Sequence, residues 1–126
     1  MDKTNENYGN IKVENDVIAK IAAEATLETT GVAGLCEGLT DALTKTILHS
    51  ESYKKAIRLT EEDGGYIIDV LVIVMYAVRI PEVAWNIQRN VKREVEAMTG
   101  QSVKAVNIHI QEVYFPEGEE NENDKN

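Results

Sequence analysis

Apolar side chains first fall into a pattern between residues 17 and 25. Val17, Ile18, Ile21, Ala22 and Ala25 recur there at helical spacing, while Lys20, Glu24 and Glu28 lie elsewhere on the cylinder. Asn15 or Asp16 is placed to cap this helix, and Gly31 to end it in a left-handed conformation that the preceding threonines resist. Residues 10–13 read as a short strand leading into it. Residues 38–50 predict a second helix, with Thr40 as cap and Leu39, Leu43 and Ile47 four residues apart, although its threonines lower the intrinsic propensity.

Beyond residue 55 the period changes to two. Ile57 and Leu59 face one way, Arg58 and Thr60 the other, and Asp63-Gly64-Gly65 supplies the chemistry of a tight hairpin turn into a long apolar strand over residues 66–78. Pro81 suits the first turn of a long helix, where its missing N–H is unbonded in any case, and Thr99-Gly100 ends that helix. Its expected buried stripe is Ala84, Ile87, Val91, Val95 and Met98. Residues 103–115 form a last strand, with Val106, Ile108 and Ile110 opposed to Asn107, His109 and Gln111, a half-covered pattern. These elements predict an α+β fold, a two-layer sandwich in which a small mixed β-sheet with a β-α-β crossover packs against two main helices.

Length and charge sharpen the outline. The chain's 126 residues suit one domain, and 43% hydrophobic with 28% charged residues are ordinary globular proportions. The net charge of -9 is uneven. Glu117, Glu119, Glu120, Glu122 and Asp124 stand against Lys125 in the last eleven residues, a net of -4, and Asp2 and Glu6 stand against Lys3 near the start, a net of -1. The expected organisation is a disordered N-terminus over 1–9, a single domain over 10–115, and an acidic disordered tail over 116–126. An acidic body repels phosphate backbones, which argues against nucleic-acid partners. The lone Cys36, the lack of a basic-then-apolar start and an apolar run interrupted by Asp69 point to a cytoplasmic protein with no membrane span.

Two features stand out as candidate contact surfaces. Tyr66, Ile68, Val70, Val72, Val74 and Tyr76 share one face of the long strand, yet Leu71, Ile73 and Met75 make the other face apolar too. Either the helix around Leu43 covers that second face, or a partner or another copy of the chain does. Trp85 falls off the buried stripe of the long helix, beside Arg89 and Lys92. Tryptophan with arginine is a favoured interface anchor, and the competing reading is ordinary packing of Trp85 over strand ends.

Catalytic, cofactor and metal assignments are all none. His49 and His109 have no metal-ligand spacing, and His109 fits the polar sheet face. Cys36 sits beside Glu37, which disfavours a thiolate, and no phosphate-binding glycine fingerprint is present. Gly31-Val32-Ala33-Gly34 matches the GxxG of KH domains, but its middle residues are apolar and lead on as if starting a strand.

Several blocks in order carry a resemblance: Gly9-Asn10-Ile11-Lys12-Val13, Val17-Ile18-Ala19-Lys20-Ile21-Ala22, Thr30-Gly31-Val32-Ala33-Gly34-Leu35, the run from Arg79 through Pro81-Glu82-Val83-Ala84-Trp85 to Gln88, Met98-Thr99-Gly100 and Val106-Asn107-Ile108-His109-Ile110. Over roughly residues 9 to 115 the chain resembles the alkaline shock, or general-stress envelope, proteins of Gram-positive bacteria. The version with Pro-Glu-Val-Ala-Trp and Val-Asn-Ile-His is similar to the subgroup associated with acetyl-CoA carboxylase. That resemblance implies a non-enzymatic partner or regulator in fatty-acid and envelope homeostasis, contacting a carboxylase subunit or a membrane anchor protein and peripheral to the membrane only through that partner. The alternative it implies is a self-associating envelope-stress scaffold, a homo-oligomer recruited by an anchor protein. The chain departs from the family pattern at Ala77, where glycine is usual, at Gln101, where leucine is, at Glu112, where glycine is, and at Met75, which replaces an acid.

Overall fold

The computed structural model describes residues 8–36 and 53–116. Along the chain these form α1 (Asn15–Leu27), β1 (Val32–Leu35), the single turn α2 (Tyr53–Ala56), β2 (Ile57–Glu62), β3 (Gly65–Met75), α3 (Ile80–Thr99) and β4 (Ser102–Tyr114). The architecture is the two-layer α+β arrangement expected, with α1 and α3 as the main helices. The helix expected over residues 38–50, and with it the proposed cover of the second sheet face, lies outside the described residues, as do the expected terminal tails beyond residues 8 and 116.

β3 organises the sheet because it has partners on both edges. β4 runs parallel to it from Gly65↔Ser102 to Met75↔Tyr114. The other edge is shared end to end by two antiparallel strands, β2 opposite Gly65–Val70 and β1 opposite Val72–Val74. Asp63 and Gly64, at φ of 47° and 82°, make the two-residue β2–β3 turn with both central residues left-handed, the geometry that matches strand twist. A parallel neighbour needs a crossover, and α3 supplies it.

The core lies between the helices and the inner sheet face. Tyr66, Ile68, Val70, Val72 and Val74 of β3 point into it with Ile57, Leu35, Val103 and Val106. α1 contributes Ile18, Ala19, Ala22, Ala23 and Ala25, and its small residues let α3 pack closely. Thr26 and Thr29 are buried yet satisfied by the carbonyls of Ala22 and Ala25, and Asn90 of α3 donates to Thr29 Oγ1 at 2.9 Å.

Several local expectations need correcting. Residues 10–13 are not a strand, since both edges of β3 are taken and no other edge reaches them. The N-cap of α1 is Glu14, with no side-chain cap bond, so Asn15 and Asp16 lie inside the first turn; Val17 is exposed instead of joining the buried stripe. α1 ends at Leu27 with Glu28 in right-handed conformation, and Gly31, at φ 98°, turns the chain into β1 instead. The stripe of α3 is Val83, Ile87, Val91 and Val95, spaced four apart. Ala84 is only half-buried, and Met98 is exposed, which rotates the face by one position from that expected. β3 stops at Met75 because Ala77, at φ 77°, reverses the chain before α3.

Candidate interaction surface

On the solvent side of α3, two of the three residues of the expected ridge, Trp85 and Arg89, lie together. Trp85 is 56% exposed, and the Arg89 guanidinium lies over its ring, with Cζ 4.5 Å from the centroid. This one-turn spacing lets a cation stack on the indole face, an arrangement that holds the ring in place without burying it. Arg89 is further steadied by Asn86 Oδ1 at 3.4 Å.

Lys92 belongs to a different row. Its Nζ donates to the Val103 carbonyl at 2.7 Å and pairs with Glu96 at 3.1 Å, while Glu96 Oε2 accepts from the Val103 N–H at 2.9 Å. One turn earlier, Gln88 Nε2 donates to the Val106 carbonyl at 3.1 Å. Gln88, Lys92 and Glu96, spaced four apart, thus close the start of the β4 edge that faces away from β3. The Val103 N–H holds the Glu96 carboxyl below the ordinary glutamate range, with Lys92 adding to the effect against a smaller desolvation. The sequence pattern showed Lys92 as a surface cation but not its backbone partner, which depends on how α3 lies against β4.

On the outer sheet face, Leu71, Ile73 and Met75 do not form an open apolar patch. Ile73 is only 4% exposed, and Leu71 and Met75 are half-buried. Beside them, parallel pairing sets Asp69 against Asn107 and Leu71 against His109. Asp69 Oδ1 accepts from Asn107 Nδ2 at 3.1 Å and lies 3.1 Å from His109 Nε2. The His109 hydrogen bond is the main reason the Asp69 carboxyl sits below its ordinary range, against desolvation and with help from Asn107 and the Arg58 charge. This cluster was not evident from sequence, although the polar positions of β4 were.

Elsewhere, Ile11, Lys12 and Glu14 with Glu61, Tyr66 and Gln101 border a polar cleft of about 450 Å³. Tyr66 donates to Asn15 Oδ1 at 3.3 Å, and burial, then the Glu61 charge, pushes its phenol up. Cys36 is half-buried just past β1, and His49 lies outside the described residues. Among the described residues no three His, Cys, Asp or Glu side chains gather in a way that could hold a metal ion. None of the helices among them is long and apolar enough to cross a membrane. Gly31–Gly34 leads from a turn into β1, which is paired with β3, so it does not form the helix-joining loop of a KH domain.

The described residues thus form a small α+β domain whose long helix carries an exposed aromatic–cation pair. Residues 3–115 match the model of the alkaline shock protein 23 family, described as having a cell envelope-related function, and the chain belongs to that family. It is similar to the uncharacterized protein YloU of Bacillus subtilis strain 168, 36% identical over 84% of this chain and 89% of that one. The uncharacterized protein Spy1614 of Streptococcus pyogenes serotype M6 is 32% identical over 88% and 93%, and the uncharacterized protein YqhY of B. subtilis is 30% identical over 91% and 84%. No solved structure matches the chain.

Proposed function

We propose that this chain is a non-enzymatic protein-interaction module of cell-envelope homeostasis that docks a partner on the Trp85–Arg89 ridge. The observation behind this reading is a large aromatic held half out of the core by a stacked arginine. Covering the rest of the indole would contribute about 2 kcal/mol, the size of an interface hot spot. Membership of an envelope-related family supports the cellular setting. The finer reading is a regulatory contact with an acetyl-CoA carboxylase subunit in fatty-acid precursor synthesis, and it rests on the sequence resemblance. The runner-up is an envelope-stress scaffold that self-associates through Leu71, Ile73 and Met75 and is recruited to the membrane by an anchor protein, and the burial of Ile73 weakens it.

The test is a tagged pull-down from Gram-positive cytoplasmic and membrane fractions, comparing wild type with a Trp85→Ala, Arg89→Ala variant whose circular dichroism is unchanged. A biotin-dependent carboxylase retained by wild type alone supports the regulator. A membrane anchor retained by wild type alone keeps the ridge and shifts the role to the scaffold. Equal retention by both proteins refutes the ridge.

A further inference from the structure

The β4 edge facing away from β3 is closed over only part of its length. Gln88, Lys92 and Glu96 occupy the N–H and carbonyl of Val103 and the carbonyl of Val106, and no backbone or side-chain partner continues beyond them among the described residues. Strand alternation from Val106 turns the backbone groups of Ile108 and Ile110 to the same open side. Past the bulge at Gln111, Tyr114 accepts from the Tyr76 N–H on the β3 side, which leaves Val113 facing outward. An unpaired edge of this kind is a template for another strand. It carries neither lysine nor proline between Asn107 and Tyr114, and its one charge is Glu112.

The surroundings of this edge define what would fit. α3 runs back along β4, with Lys92 meeting Val103 and Gln88 meeting Val106. One turn earlier the same row continues at Ala84, next to Trp85, whose ring lies on the neighbouring solvent row with Arg89. At the far end, Val113, Tyr114 and Phe115 are each about two-fifths exposed, and Phe115 meets the exposed Tyr76 edge-to-face at 4.3 Å. From there the chain continues into five carboxylates and a single lysine. A second copy carries the same net charge of -9 and is repelled, whereas a cationic segment is drawn to an acidic chain and to Glu112 on this edge.

We infer that the open edge of β4 from Asn107 to Tyr114 receives an extended, lysine- or arginine-bearing segment of a partner protein, which adds to the sheet as a strand. Its alternate apolar side chains lie against Trp85 at one end and against Tyr76 and Phe115 at the other. This deepens the reading of the Trp85 ridge as a contact surface and rests on it. Backbone pairing supplies the affinity, and the aromatic ends select apolar side chains.

The probe is a capped peptide of alternating valine and threonine flanked by lysines, with a control of identical charge carrying proline at two central positions. Binding to the full chain is followed by fluorescence anisotropy, and amide exchange by NMR. The expected result is slowed exchange at Ile108 and Ile110, with the proline peptide and the Trp85→Ala variant each weakening binding by about tenfold or more. Equal binding of both peptides, or binding without edge protection, overturns strand addition and leaves the ridge reading intact. Edge protection that grows with protein concentration in the absence of peptide overturns the foreign partner in favour of a second copy. Edge protection unchanged by Trp85→Ala overturns the joint site. Because no cell extract is used, failure here is separable from failure of the pull-down.

Discussion

Replacing Gly31 by alanine tests how α1, β1 and α3 meet. Gly31 sits at φ 98°, where an L side chain is strained by about 1–2 kcal/mol, partly offset because alanine stiffens the unfolded chain by about 0.4–1 kcal/mol. A Cβ there would also stand 2.7 Å from Val83 Cγ2 and 3.4 Å from Cγ1, and Val83 is buried on the inward stripe of α3. Forcing an extra carbon into such a contact costs about 1–3 kcal/mol. The expected loss is therefore about 2–4 kcal/mol. Gly100 is the internal control: at φ 77°, its added Cβ would meet nothing within 4 Å, so Gly100→Ala carries only the backbone strain, about 1 kcal/mol. Urea unfolding followed by far-ultraviolet circular dichroism reads the difference, and Gly31→Ala lowers the midpoint by on the order of 1–2 M. Val83→Ala should cost less in the Gly31→Ala background than alone, since it removes the methyls that clash. Equal losses at Gly31 and Gly100, or strict additivity with Val83→Ala, would refute the close approach of the turn to α3.

Ala77 stands at φ 77°, so Ala77→Gly relieves left-handed strain and raises the calorimetric melting temperature by a few degrees, about 0.5–1 kcal/mol; a lowered temperature would mean that the alanine methyl is needed for packing. Glu96 holds its proton less readily when folded than when unfolded, so its contribution is present above the ordinary glutamate range and is lost as pH falls through that range and below it. Glu96→Gln has no such titration, and the stability gap between wild type and variant narrows from about pH 7 to about pH 3 in urea unfolding; a constant gap would remove the carboxylate from the α3–β4 junction.

Much of the fold was legible because local chemistry and topology agree. Asp63-Gly64 dictated the hairpin, Pro81 and Gly100 bounded α3, and the alternation of Val106, Ile108 and Ile110 with Asn107, His109 and Gln111 gave β4 its faces. The errors fall where partners decide. Residues 10–13 have strand-like composition but pair with none of the four strands. The threonines before Gly31 do not extend α1, and the turn they occupy brings Gly31 against Val83. Met98 matched the helical period of α3 but falls off its buried row, which runs through Val83, Ile87, Val91 and Val95.

The candidate site was only half legible for the same reason. Trp85 and Arg89 are one helical turn apart, so their stacking depends on α3 alone and sequence spacing reveals it. Asp69 and His109 are forty residues apart and meet only because α3 returns the chain for a parallel pairing, with one bulge at Lys104 setting which residues face each other. The open stretch of β4 follows from that same register. Side chains of α3 reach the edge only as far as Val106, and the strand then runs on past them. If the crossover aligned β4 two residues differently, the polar row would close a different stretch of the edge. If a partner strand adds to β4 as proposed, its fit depends on how α3 is laid along β4, and substitutions at Gln88, Lys92 or Glu96 that shift this alignment should alter binding even though none of the three belongs to the Trp85–Arg89 pair.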